Sequence, residues 1–386
     1  RHYPQSFEFS TLGGWIATRG GGHFATGPTH VDELVQSLRV VCPAGATETR
    51  RVPASGAGPC EHRLYVGSEG ALGLITEAWV KLRPRPRARA SATLLFAADD
   101  ADAAFARGAA AVREMAQTGL QPANLRLVYG PEVSTIAGIG GARRAQLASA
   151  AVLLVGLEAP ADGPAALRLL DAQLSLLVDV AESAPHGGTV LVRRAARGLG
   201  GGKGGGERDG IAGAWGSAFM RGGYHFSASC LFASILINTI ETACTWEAFP
   251  ALHWAVLATA RAAVRAHCGV EGQVTCRLTH VYPDGPAPYY TIIVPHLPPG
   301  PRARPGGEDA RIGMWQAIKR AVMDTILAQG GTATHHHAVG RLHMPQWAAE
   351  RGVLFGPALE AAKRAHDPAG IMNPGVLIET AGAAKL

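Results

Sequence analysis

The sequence predicts an α+β fold in two parts, and two observations carry that expectation. Up to residue 85 the chain alternates glycine-rich turns with short strand-like runs. Beyond it, apolar runs of strand length alternate with long amphipathic stretches of helical period, the pattern of an antiparallel sheet with its helices on one face. A chain of 386 residues is long enough for two domains with sizeable cores.

In the first part, "STLGGWIATRGGG" (10–22) reads as glycine turns following short strands. Val35, Leu38 and Val40 in "DELVQSLRVVCPAG" mark a strand running to a turn. "HRLYVGSEGALGLITEAWVKLRP" (62–84) reads as strand, glycine turn and strand, closed by the proline/arginine connector "RPRPRARAS".

In the second part, "SATLLFAA", "NLRLVYG" and "AVLLVGLE" are strands. They alternate with helices over 100–119, opened by aspartates and closed by glycine, and over 164–182. A helix at 250–267, strands at 272–282 and 289–294, and a helix at 310–331 follow. In that last helix Ile312, Trp315, Ile318, Val322 and Ile326 share a face, and Gly330-Gly331 is a natural stop. With a final strand expected across the histidines at 335–337, this order is that of a partial ferredoxin-like sheet.

Composition narrows the function classes. The chain is 47% apolar and 17% charged, with 49 glycines, an ordinary globular balance apart from the glycine. Its net charge of +6 comes from scattered arginines without a lysine/arginine block, which argues against a dedicated nucleic-acid surface. Acidic small molecules or an anionic membrane surface suit that charge. Cys42, Cys60, Cys230, Cys244, Cys268 and Cys276 form no CxxC pair, so free thiols are expected rather than disulfides or zinc. No eighteen-residue window is cleanly apolar: "SASCLFASILINTIETAC" carries Asn238 and Glu241.

Several motifs bear chemistry. "GLGGGKGG" fails as a phosphate loop, because Arg197 stands where the first glycine belongs and Gly204 follows Lys203. The turns around "STLGGW" and "GSEGALG" let backbone N–H groups approach an anionic or carbonyl-rich ligand, with Thr11, Ser68 and Glu69 adding polar side chains. On a strand, His335 and His337 would share one side and His336 the other. Metal ligation, a solvated polar run, and proton transfer or hydrogen bonding to a reacting carbonyl are the three uses of such a run; no nearby carboxylate or cysteine has the spacing for metal. Tyr289 and Tyr290 are strand aromatics, and a tyrosine serves as a base only where a histidine or cation draws off its proton, its free pKa being about 10. Arg126 and Arg221 stand in apolar surroundings and each needs an anionic partner, a substrate phosphate or an internal carboxylate.

Taken together, "QSFEFSTLGGWIATR", "HRLYVGSEGALGLITEAWVKLRP", "THHHAVGR" and "HDPAGIMNPGVLI" resemble the flavin-dependent family related to vanillyl-alcohol oxidase, and within it the alkylglycerone-phosphate synthases. The resemblance runs in the same order over nearly the whole chain. "DPAGIMNPG" is shared across the wider family, including glycolate- and lactate-type oxidases.

The resemblance implies the C-terminal half of an FAD-binding domain (1–85), a ferredoxin-like cap domain (86–355), and a segment returning to the flavin domain (356–386). The upstream glycine loop that cradles the FAD pyrophosphate is not in this sequence, so weak FAD binding is expected of this chain by itself. Flavin contacts carry over to Gln5, Ser6, Phe7, Glu8, Phe9, Ser10 and Thr11; to Thr18, Arg19, Gly20 and Gly21; and to Glu69, Gly70, Ala71, Leu72, Gly73, Leu74 and Ile75. The catalytic tyrosine falls on Tyr289, the histidine cluster on His335, His336 and His337, and the substrate arginines on Arg221 and Arg126, with 369–373 shaping the site. Gln5 stands where the family usually has aspartate, and "GGHFATGPT" replaces its lysine-bearing segment.

The implied chemistry exchanges the acyl chain of acyl-dihydroxyacetone phosphate for a long-chain fatty alcohol, by covalent catalysis at flavin N5. The alternative is an FAD-linked oxidase or dehydrogenase of 2-hydroxy acids. Ala384-Lys385-Leu386 is a variant of the Ser-Lys-Leu peroxisomal address, implying an import receptor and a peroxisomal location. The family further implies a homodimer, while peripheral membrane contact is an expectation from the net charge of +6.

Overall fold

The computed structural model describes residue 2 and residues 4–133, 141–199, 234–295, 297 and 310–378. The chain divides into two compact units: Arg1–His23, Pro28–Arg83 and Thr332–Leu386 form unit 1, and Phe24–Gly27 with Pro84–Gly331 form unit 2. The first seam falls inside the proline/arginine connector. The second falls at Gly331, not at residue 355, so 332–355 pack with unit 1 rather than with the cap.

Unit 2 is built on a seven-stranded sheet, every strand pairing among the described residues antiparallel. Numbering strands along the chain, β4 (Ala88–Ala97), β5 (Asn124–Tyr129), β6 (Ala150–Ala159) and β7 (Thr189–Gly198) alternate with the long helices Ala101–Gln117 and Pro164–Glu182. β8 (Leu236–Glu241), β9 (Gln273–Val281) and β10 (Pro286–Val294) alternate with helices Phe249–Cys268 and Ala310–Ala328. The spatial order β7-β4-β6-β5-β9-β10-β8 places a full ferredoxin-like set beside a three-stranded one, joined where Val128 pairs with Arg277.

Period-two alternation decides what each face of this sheet buries. Ala151, Leu153, Val155 and Leu157 of β6 join a core with the four long helices, among them Phe105, Met115, Leu174, Val256 and Val322. The intervening Ala150, Val152 and Leu154 point to the other face, where Val133 and Leu147 of two short helices cover them. Asp100 caps the first long helix by accepting from the Ala103 N–H at 2.7 Å. No helix among the described residues is long and apolar enough to cross a membrane.

Unit 1 carries the smaller sheet β2-β1-β3, formed by β1 (Val35–Cys42), β2 (Gly45–Glu48) and β3 (Leu74–Val80). Its core of Ile16, Val35, Leu38, Val40, Tyr65 and Leu72 takes Leu359 and Ala362 from the later helix Phe355–His366. Two local expectations are corrected. Residues 12–17 form a short helix capped by Thr11 rather than a turn after a strand, and Glu61–Leu64 is a 3-10 helix rather than a strand. The Thr11 hydroxyl accepts from the Gly14 N–H at 3.1 Å, which starts a helix where the glycines alone read as turn.

Candidate active site

The three segments assigned to flavin contact lie against one another in unit 1. The Gly67 N–H donates to the Ile16 carbonyl at 3.1 Å and the Glu69 N–H to the Ala17 carbonyl at 2.8 Å, joining the end of helix 12–17 to the "GSEG" turn. A Cβ on Gly13 would come within 3.0 Å of the Ile75 carbonyl oxygen, so this glycine permits the helix to touch β3. Residues 5–11 precede that helix, with Phe7–Phe9 a 3-10 turn and Trp15 Nε1 donating to Ser10 Oγ at 2.7 Å. Arg19 takes a positive φ and donates to the buried Asp32, which Arg63 also holds, and Gly21 bridges to His30.

Side chains within these segments divide in use. Ala71 and Leu72 are buried, Leu72 in the core of unit 1, so any contact they make to a ligand is through backbone. Phe9 is 80% exposed and Leu74 64%, and Phe7 and Leu12 are exposed as well. Gly70 has φ +77° and nothing closer than 3.8 Å to a Cβ built there. Open glycine backbone beside uncovered apolar side chains fits a flat, partly apolar ring system with polar edges. These residues fit a flavin.

The histidine run is not on a strand. Residues 332–343 form bends and turns, so the expected alternation of His335 and His337 against His336 does not hold. Instead His335 Nδ1 lies 3.0 Å from His336 Nδ1, which requires one ring to donate and the other to accept across a shared proton. The His336 and His337 ring centres are 4.5 Å apart, with His337 exposed.

Two groups hold this loop. His30 Nε2 sits 2.7 Å from the His335 carbonyl, to which it donates, and burial lowers the pKa of His30 from its ordinary value. Glu69 accepts from the Val339 N–H at 2.7 Å with one carboxylate oxygen and from the Gly340 N–H at 2.8 Å with the other. The carboxylate of Glu69, expected to face a ligand, is therefore engaged by backbone. Burial raises its pKa, against the pull of those two N–H groups.

The "HDPAGIMNPG" stretch closes the same end of unit 1. Asp367 accepts from Lys363 Nζ at 2.7 Å, from the Met372 N–H at 2.7 Å and from the Ile371 N–H at 3.1 Å. The buried Lys363 also donates to the Ala71 carbonyl at 2.8 Å, and the Asn373 amide donates to the Glu69 carbonyl. Residues 369–373 are thereby fastened to the "GSEGALG" turn.

In unit 2, Tyr289 and Tyr290 face opposite sides of the sheet. Tyr290 is fully buried among the long helices with its hydroxyl 3.2 Å from His253 Nδ1. Tyr289 is on the other face, where Arg277 stands over its ring with Cζ 4.2 Å from the centre and donates to Glu132 at 2.6 Å. Arg126, buried on β5, shares that face because it is two residues from Val128, the strand partner of Arg277. Arg221 and Ala384-Lys385-Leu386 lie outside the described residues.

Arg277, Glu132 and His30 escaped the sequence reading. A charge in an apolar strand singled out Arg126, and the same rule applied to "QVTCRLTHV" finds Arg277. Glu132 and His30 carry no comparable local signal.

The family described as "FAD linked oxidases, C-terminal domain" matches residues 85–194 and 228–377. Alkyldihydroxyacetonephosphate synthase of Caenorhabditis elegans is 28% identical, covering 99% of this chain and 61% of the relative. A solved structure of an alkyldihydroxyacetonephosphate synthase aligns with a TM-score of 0.67 at 20% identity, covering 97% of this chain and 59% of that one. A glycolate oxidase subunit of Bacillus subtilis is 34% identical, over 34% of this chain and 27% of the relative. The chain spans about three fifths of the length of the synthases it matches.

Proposed function

The chain belongs to the FAD linked oxidases through their C-terminal domain, and on that premise we propose that its protein is an FAD-dependent alkylglycerone-phosphate (alkyldihydroxyacetonephosphate) synthase. The observation that carries this reading is likeness to a synthase over 99% of the chain, against 34% for the glycolate oxidase subunit. The substrates are acyl-dihydroxyacetone phosphate and a long-chain fatty alcohol, and the exchange leaves redox state unchanged.

Residues 5–11, 18–21 and 69–75 would hold FAD, whose ring would supply nucleophilic covalent catalysis to the exchange. Tyr289 takes the proton from the carbon beside the ketone, and the phenolate this requires is favoured by the cationic Arg277 over its ring. The His335/His336 pair, already sharing a proton, donates to the carbonyl or takes the proton of the incoming alcohol. Arg126 and Arg221 hold the anionic end of the substrate. Ala384-Lys385-Leu386 serves as the peroxisomal address read by an import receptor.

The test uses the full-length protein with acyl-dihydroxyacetone phosphate and labelled hexadecanol. Label is expected in an alkyl ether product, and Tyr289→Phe is expected to lower that rate about a thousandfold. Flavin bleaching by glycolate or lactate, with no label transferred, would replace this reading by the 2-hydroxy-acid oxidase that the shorter match favours.

A further inference from the structure

In unit 2, the ion pair beside Tyr289 calls for an explanation that stability does not supply. Arg277 and Glu132 are both largely buried, and their 2.6 Å contact removes two charges from water. Such a pair roughly breaks even against apolar residues of the same size, because desolvation offsets the Coulomb gain. Its placement is specific, however. Strand register sets Tyr289 opposite Arg277 on one side and opposite Glu241 on the other, and the guanidinium lies over the phenol ring. A cation in that position is attracted to the neutral ring and far more strongly to a phenolate.

We propose that Arg277, anchored by Glu132, is the positioning residue of Tyr289, holding its ring in one orientation and stabilising the phenolate that takes a proton from a carbon acid. The proposal rests on the proton-transfer role given to Tyr289 above. The phenol first releases its proton to water; the phenolate oxygen then binds the proton leaving the substrate carbon, whose electron pair stays with the substrate. Among the described residues, the charged groups acting on the phenol are Arg277, Glu132 and Glu241, with Thr239 as a hydrogen-bond partner. Burial is the largest influence and raises the phenol pKa, the two glutamates add to it, and Arg277 opposes them.

Glu132 therefore does two things, fixing the guanidinium and opposing the phenolate, which makes the assignment testable by opposite signs. The measurement is the phenolate absorbance step of Tyr289 in the full-length protein, isolated by subtracting the Tyr289→Phe variant. Arg277→Gln is expected to move that step to higher pH and Glu132→Gln to lower pH. The acid limb of the exchange rate should follow each, with Arg277→Gln roughly a hundredfold slower at neutral pH. Should Arg277→Gln fail to fold, the downward movement in Glu132→Gln decides alone. Steps that stay in place, or move the same way in both variants, overturn the proposal. Steps that split as stated in a protein without exchange activity uphold Arg277 and reject the synthase reading; exchange with unmoved steps does the reverse.

Discussion

Glu69 ties together segments that the sequence keeps 270 residues apart. Its two oxygens hold the Val339 and Gly340 N–H groups, its carbonyl accepts from Asn373, and its own backbone takes a positive φ to do so. Glu69→Ala leaves two N–H groups without these acceptors, a loss of about 1–3 kcal/mol. Hydrogen exchange at Val339 and Gly340 should quicken, with Glu69→Gln intermediate because one acceptor oxygen survives. The sequence marked Glu69 as a polar group in a glycine turn, which it is. That its side chain serves the histidine loop was not legible, since no local pattern encodes a partner so distant.

At the scale of elements, β10 shows what periodicity does and does not decide. Alternation requires Tyr289 and Tyr290 to face opposite ways, but the choice of face follows from the four helices that pack on one side. Tyr290 consequently meets His253, which is 1% exposed and stacks on Phe105 with ring centres 4.9 Å apart. Burial, aided by the Arg261 cation, lowers the pKa of His253 to about 3. The unfolded chain binds a proton that the folded unit refuses between about pH 6.5 and 3, so stability falls as pH drops through that window. The loss from this group is about 2 kcal/mol between pH 6.5 and 5. His253→Phe should flatten it, at about 1 kcal/mol of neutral-pH stability from the lost bond to Tyr290, as urea midpoints at the two pH values would show. The last expected strand is a miss: after the helix Ala310–Ala328 the chain leaves unit 2 at Gly331, and 332–343 turn within unit 1 where Glu69 and His30 supply the hydrogen bonds a strand partner would have made.

At the scale of the molecule, unit 1 is assembled from separated stretches of chain, whereas unit 2 is nearly continuous. The resemblance motifs concentrate accordingly: "STLGGW", "GSEGALG", "THHHAVGR" and "DPAGIMNPG" all belong to unit 1 and bond to one another there, while Tyr289 and Arg126 stand in unit 2. The proposed peroxisomal location rests on the final three residues. A fluorescently tagged full-length protein should concentrate in peroxisomes, and Lys385→Glu should disperse it; dispersal of both alike would remove the peroxisomal part of the proposal.

The sequence alone determined the four long helices and five strands of the seven-stranded sheet in unit 2, but not its strands Thr189–Gly198 and Leu236–Glu241. It also determined the seam at the proline/arginine connector and the segments that carry the family likeness. These are local properties, written in periods of two and 3.6 residues and in turn-forming glycines and prolines. The tertiary structure alone decided which face Tyr289 occupies, that Arg277 and Glu132 accompany it, and that the histidines sit on a turn clasped by Glu69. Those outcomes depend on burial and on hydrogen-bond partners far along the chain, and only the packed fold brings such groups within reach.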